Sequence, residues 1–183
     1  MKELSLNILD IAENSLKAGA SLVEILLTEK DNTLTIEIND NGCGMSEKTL
    51  KNVVNPFYTT RTTRKVGLGI PFFKEAAEQT GGSFEITSVE SRVDEKNCGT
   101  KVKALFYTDS IDFTPIGDIV STLTTLIHGS PDVDFVFKHI KNGGEVSLDT
   151  KEIRAVLGND VPLNSIEVIE FIKTSLNSEY GSL

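Results

Sequence analysis

The residues of this chain best suited to chemistry lie in Asp40-Asn41-Gly42-Cys43-Gly44-Met45, an acidic residue followed by a glycine-punctuated turn. The run before it, Leu34-Thr35-Ile36-Glu37-Ile38-Asn39, alternates with period two, so its even positions face a core and Asp40 falls on the same side. An inward carboxylate without a partner costs on the order of 1 to 3 kcal/mol or more, so Asp40 must meet a hydrogen-bond donor, from protein or from ligand. Gly42 and Gly44 give the turn backbone freedom and let a ligand approach the main chain closely. A second glycine cluster, Gly67-Leu68-Gly69, leads into a helix N-terminus, where free N–H groups and the helix dipole favour an anion such as phosphate. Directly before it, residues 57 to 66 carry four threonines and three cations, a donor-rich loop.

These residues need elements to hold them. Residues 4 to 18 read as an amphipathic helix closed by Gly19, with Asn7, Asp10, Glu13, Asn14 and Lys17 on one arc and Leu4, Ile8, Leu9, Ile11, Ala12 and Leu16 opposite. Its polar arc is either a solvated face or the wall of a site. Strands over 22–29 and 33–39 join at Asp31-Asn32. Ser46 suits the N-cap of a short helix to about Val54 that Asn55-Pro56 stops, and Pro71 suits the first position of a helix to Thr80, ended by Gly81-Gly82. Strands over 83–89 and 100–107 flank a polar excursion. This order predicts an α+β fold, a two-layer α/β sandwich with helices on one face of a mixed, mainly antiparallel sheet. It is not a doubly wound dinucleotide fold, because the glycine loops do not sit in a βαβ unit followed by an acidic strand end.

Beyond Tyr107 the character changes. Residues 116–128 read as helix, 133–140 and 145–148 as a hairpin around Asn142-Gly143-Gly144, and 150–157 and 164–177 as helices. The expected organisation is a first domain over 1–107 and a small acidic α/β extension over 108–183. The net charge of -9 is divided accordingly: 15 acidic and 13 basic side chains before residue 108, 12 and 5 after it. That imbalance disfavours nucleic acid as a partner, since phosphate contacts need clustered Lys and Arg. No apolar run approaches the ~18 residues of a membrane span, and the first residues read as neither signal nor transit peptide. With two cysteines, too few for a disulfide scaffold or a self-contained zinc site, a cytoplasmic setting is expected.

Four separated motifs together resemble the ATP-binding domain of the GHKL superfamily, which unites DNA gyrase, heat-shock chaperones, histidine kinases and MutL-type mismatch-repair proteins. The likeness covers roughly residues 4 to 107 and implies the Bergerat-type ATP-binding fold. Ile11-Ala12-Glu13-Asn14-Ser15-Leu16-Lys17-Ala18-Gly19-Ala20 resembles the N box, in wording nearest the mismatch-repair branch. The resemblance implies that Asn14 offers its amide oxygen to a magnesium ion on the phosphates, that Glu13 activates water, and that Lys17 belongs to the ATP site. Asp40 to Met45 resembles the first glycine box. Here Asp40 is implied to accept from the exocyclic amine of adenine, with Gly42 and Gly44 against the base and Met45 as an apolar wall. Residues 55–60, with Phe57, Thr59 and Thr60, resemble the F box of histidine kinases, and Gly67-Leu68-Gly69-Ile70 the second glycine box. Gly99-Thr100 resembles the last motif, whose threonine lies near the adenine carboxylate. Arg61, Arg64 and Lys65 become phosphate contacts from the lid.

The resemblance thus implies ATP and magnesium as cofactors and an ATPase or a histidine or serine protein kinase-like catalytic domain that lacks its own phosphoacceptor domain. The alternative is a non-catalytic module whose protein interactions ATP switches. A protein partner is expected, no membrane is, and homodimerisation stays open. Cys43 and Cys98, brought near one another by the motifs, raise the further idea of oxidation-sensitive binding.

Overall fold

The computed structural model describes residues 3–55, 69–158 and 161–183. Twelve elements follow in order: α1 (Leu4–Lys17), β1 (Leu22–Lys30), β2 (Thr33–Asp40), α2 (Glu47–Asn52), α3 (Gly69–Gln79), β3 (Ser83–Val89), β4 (Gly99–Tyr107), α4 (Ile119–Gly129), β5 (Asp134–Lys141), β6 (Gly144–Asp149), α5 (Thr150–Leu157) and α6 (Ile166–Tyr180). The strands form one six-stranded sheet in the order β3-β4-β2-β1-β5-β6. Every neighbouring pair is antiparallel except β1 and β5, which run parallel. This is the mixed, mainly antiparallel α+β sheet that the pattern predicts.

The β1–β2 hairpin turns on Asp31 and Asn32, both at positive φ (49° and 59°), the geometry that matches the right-handed twist of the strands. It fixes the register Ile25↔Ile38 and Leu27↔Ile36, and β5 continues the row with Ile25↔Phe137. Ile36↔Ala104 and Ile38↔Val102 extend it to β4. All these side chains are buried on one face, where Leu4, Ile8, Ile11 and Ala12 of α1, Phe73 and Ala77 of α3 and Leu123 of α4 pack on them. The other face carries charge: Glu37 meets Lys101 Nζ at 2.9 Å and Lys103 Nζ at 3.1 Å. Those two ammonium groups hold the Glu37 carboxyl below its ordinary value.

Residues after 107 enter the same core. β5 adds to β1 at the middle of the sheet, α4 packs on α1, and α6 packs on α4. α1 itself is capped from this region: Leu4 N–H donates to Pro115 O at 2.9 Å and Ser5 N–H to Ile116 O at 2.8 Å, satisfying two of the N–H groups a helix start leaves orphaned. Ser46 caps α2 by accepting from Thr49 N–H, as its type predicts. Pro71 lies inside the first turn of α3, after Gly69 and Ile70, where a missing N–H is still harmless. Asn7, placed on the polar arc of α1 by its type, is only 2% exposed, because α3 and α4 both pack on this helix and narrow its solvated strip.

His139, a strand residue among charged neighbours in the sequence, is 3% exposed. Its Nε2 lies 3.0 Å from Glu29 Oε1 and its Nδ1 2.9 Å from the Tyr180 hydroxyl, tying β1, β5 and the end of α6. Burial, against the pull of Glu29 and with a minor push from Lys141, lowers the His139 pKa from its ordinary 6.5. The folded state therefore binds this proton more weakly than the unfolded chain. His139 contributes its full stability above pH 6.5, and that contribution is lost as pH falls below it. Thermal melts of wild type should show Tm falling between about pH 7.5 and 5.5, and His139→Gln should flatten that slope. An equally steep slope in the variant removes His139 from the effect.

Candidate functional site

The site is built where the end of β2 meets the C-terminal half of α1 and the start of β4. Asp40 closes β2 on its core-facing side, half-buried, and three protein donors converge on it. Ser15 Oγ donates to Oδ2 at 2.7 Å, Gly42 N–H to Oδ1 at 2.9 Å, and Thr100 N–H to Oδ1 at 3.3 Å. Thr100 is the register partner of Asp40 across the β2–β4 ladder. Protein thus supplies donors to the inward carboxylate. A carboxylate offers about four lone-pair positions, so one on Oδ2 remains for a further donor.

The turn after Asp40 is anchored on each side. Asn41 Oδ1 accepts from Ser21 N–H and Leu22 N–H, both at 2.9 Å, and its Nδ2 donates to Ser21 Oγ. Cys43 N–H donates to Ala18 O at 2.9 Å, fastening the turn to the end of α1. Met45, half-buried, donates its N–H to Ser88 Oγ at 2.8 Å; that hydroxyl donates to Gly99 O at 2.8 Å and lies 3.0 Å from Thr100 Oγ1. Two glycines are enforced by backbone contact. A Cβ on Gly44 (φ +67°) would stand 1.9 Å from Val89 O, and one on Gly99 (φ +141°) 1.9 Å from Asp40 O.

On α1, Glu13 and Lys17 are exposed and paired, with Lys17 Nζ 2.8 Å from Glu13 Oε2. Asn14, half-buried, sits between Glu13 and the buried Ser15. The N-terminus of α3 docks on the same helix: a Cβ on Gly69 would lie 3.0 Å from Asp10 Cβ, one turn before Asn14. Ile70 is 7% exposed and belongs to the core. Glu13, Asn14, Lys17, Asp40, Gly42, Gly44, Met45, Gly69, Ile70 and Thr100 therefore lie on elements in mutual contact around α1. Phe57, Thr59, Thr60, Arg61, Arg64, Lys65, Gly67 and Leu68 fall outside the described residues. Cys43 is exposed and Cys98 half-buried, and both are free thiols.

Three residues of this network were not singled out from the sequence: Ser15, Asn41 and Ser88. The signal for two of them is present. Ser15 follows Ile11 at helical spacing on the apolar arc, and Ser88 continues the inward positions of Phe84 and Ile86, so each puts a hydroxyl where a hydrocarbon is expected.

Residues 2–109 match the family model for the histidine kinase-, DNA gyrase B- and HSP90-like ATPases. The chain belongs to that family, and this span is a GHKL-type ATP-binding domain. Among curated relatives it is similar to the sensor protein KdpD of Clostridium acetobutylicum, 34% identical over 90 residues (46% of this chain, 10% of that one). It is also similar to sporulation kinase E of Bacillus subtilis, 33% identical over 93 residues (50% and 12%), and to the sensor histidine kinase YvrG of the same organism, 28% identical over 88 residues (46% and 14%). The chain spans only about a tenth to a seventh of the length of these relatives. In fold it is similar to the ADP-complexed ATPase domain of Aquifex aeolicus MutL, with a TM-score of 0.55 at 15% identity over 95% of this chain and 88% of that one. The N-terminal domain of a DNA repair protein gives 0.57 at 16% identity, over 87% and 58%. At 95% coverage the likeness in fold runs well past residue 109.

Gly44→Ala combines backbone overlap with a strained φ, and should cost about 3 kcal/mol or more. The check is a denaturant melt, in which a midpoint within error of wild type would show that the turn can move away from Val89.

Proposed function

We propose that this chain binds ATP with magnesium and is the catalytic unit of a regulatory ATPase or protein kinase. The observation that carries the reading is the arrangement of three consecutive residues on α1. Ser15 grips the carboxylate proposed to read adenine, Asn14 precedes it, and Glu13 exposes a carboxylate one residue further back. One rigid helix thereby relates the base end of the nucleotide to its phosphate end.

In this reading Asp40 accepts the exocyclic amine of adenine on the lone pair that Ser15 leaves open, and Gly42 and Gly44 keep the turn thin enough for the base to lie against it. Asn14 suits a magnesium ion, because its amide is a hard oxygen donor and phosphate oxygens and water complete such a shell. When bound, that ion neutralises charge developing on the phosphates. Glu13 is the proposed general base: Lys17 Nζ lies 2.8 Å from Oε2, leaving Oε1 to orient and deprotonate an attacking water. The N–H groups at the start of α3 favour the phosphates. Phe57, Thr59, Thr60, Arg61, Gly67 and Leu68 complete the proposed ATP contacts.

Transfer to a protein in place of water is the second reading, supported by similarity to sensor and sporulation kinases. The histidines of this chain give it little support as self-acceptor, since His139 is buried and His128 sits in the last turn of α4, where a cation simply complements the dipole. The acceptor in that case lies outside residues 1–183. ATP as ligand and two free thiols support a cytoplasmic setting, with residues 108–183 as a structurally joined extension open to a protein partner.

Incubation of the purified protein with labelled ATP and magnesium separates hydrolysis, phosphotransfer and silent binding. Glu13→Ala should retain ATP affinity and lose turnover by about 10² to 10⁴-fold; unchanged turnover removes Glu13 from the mechanism. Asp40→Asn should keep the fold, because one oxygen still accepts from Gly42 and Thr100 and the amide can donate to Ser15. It should nevertheless weaken ATP by about 10 to 100-fold, since an amide turned this way offers the adenine amine a donor. Calorimetry showing unaltered affinity would overturn the adenine assignment.

A further inference from the structure

The face of the sheet opposite α1, α3 and α4 is built from alternate residues of each strand, exposed or half-buried. The strand registers arrange it in rows. One row runs Thr87, Lys101, Asn39, Glu24 and Val136 across β3, β4, β2, β1 and β5, and the next runs Glu85, Lys103, Glu37, Leu26 and Lys138. The row beyond, with Leu105, Thr35, Thr28 and Ile140, is uncharged. Glu37 is held between Lys101 at 2.9 Å and Lys103 at 3.1 Å. Glu24 and Glu85 are exposed and, among the described residues, have no ion pair.

We propose that this face binds a second copy of the chain, sheet against sheet, about a two-fold axis running along β2. Such an axis keeps each row at its own height and exchanges left for right, so β4 lies over β1 of the second copy and β3 over its β5. Lys101 then meets Glu24, and Lys138 meets Glu85, each contact being made twice. On the axis Glu37 faces its counterpart, but each is already neutralised by its own Lys101 and Lys103. With Glu24 counted, each copy brings two carboxylates and two ammonium groups to the centre, which therefore carries no net charge. The aliphatic stem of Lys103 covers Leu26. Asn39 also lies on the axis, where two copies of one amide can each donate and accept, and its Oδ1 is buried with no hydrogen-bond partner among the described residues.

The charge pattern selects this axis over its neighbours. An axis along β1 presses Glu24, which has no cation of its own, on its counterpart, and one between β1 and β2 presses Lys103 on Lys138. Five of the six strands find a partner strand. At about 4.8 Å between strands and about 3.4 Å per residue, their flat footprint is roughly 600 Å² per copy. The relief of the side chains brings it toward the ~800 Å² per partner of a standard interface. α1 packs on the opposite face, so the candidate site of each copy stays open, and the inference is independent of what that site binds.

Sedimentation equilibrium of the full chain reads the association directly. Wild type at micromolar concentration should give twice the 20.0 kDa mass of one chain. Glu24→Lys and Lys101→Glu, both at exposed positions, should each weaken the dimer by about tenfold or more by setting like charges opposite one another. Mixed in equal amounts, the two variants should recover it, because the mixed dimer alone opposes unlike charges at both contacts. Thermal melts establish that each variant is folded, and Glu85→Lys with Lys138→Glu repeats the design at the outer contact if either is not. Wild type that stays a monomer overturns the proposal. So does a dimer that both variants leave unchanged, and so does a mixture that associates no better than its components.

Discussion

The structure depends on how one strand-end carboxylate is satisfied. Asp40 lies where β2 leaves the core, and its oxygens gather a hydroxyl from α1, an N–H from the turn and an N–H from β4. Each bond fastens a different element to the same point. Hydrogen bonds to an anion are stronger than those between neutral groups, and a half-buried carboxylate deprived of them pays its desolvation unrelieved. The C-terminal half of α1, the glycine turn and the start of β4 are thus joined at one group, and the proposed ligand-reading atom is the part of that group left over.

A second constraint is that the two halves of the sequence share one sheet. β1 has β2 on one side and β5 on the other, so the central strand is finished only by a segment from the acidic half. α1 is bounded in the same way. Its C-terminal half touches the site, while its first N–H groups donate to carbonyls of residues 115 and 116. A force on α4 or α6 has a packed route to Glu13 through the body of one helix.

The sequence made much of this legible because local and global rules agree. Alternation in 34–39 gave the facing of Asp40, and the Asp31-Asn32 turn gave the hairpin and its register. The hairpin after residue 133 was equally readable, but its place beside β1 was not, since nothing in a strand's own pattern names its neighbour and a parallel pairing leaves no turn to read. The donors to Asp40 were hidden for a related reason. Ser15 and Ser88 are each one hydroxyl in an apolar row, and their meaning depends on a partner 25 and 12 positions away in the chain. The burial of His139 was hidden in the same way: its partners Glu29 and Tyr180 lie 110 and 41 positions away in the chain.

The capping of α1 by residues 115 and 116 sets an order of events during synthesis. α1 is made well before its cap: its N-terminal turn is completed by carbonyls that leave the ribosome more than a hundred residues later. Its sheet-mate β1 likewise waits for β5. Contacts of such long sequence separation close slowly, because the intervening chain must first be confined. α1 is therefore among the last parts of this fold to settle, and a nascent chain halted after residue 107 holds every recognisable ATP-site motif and an unfinished helix to carry them.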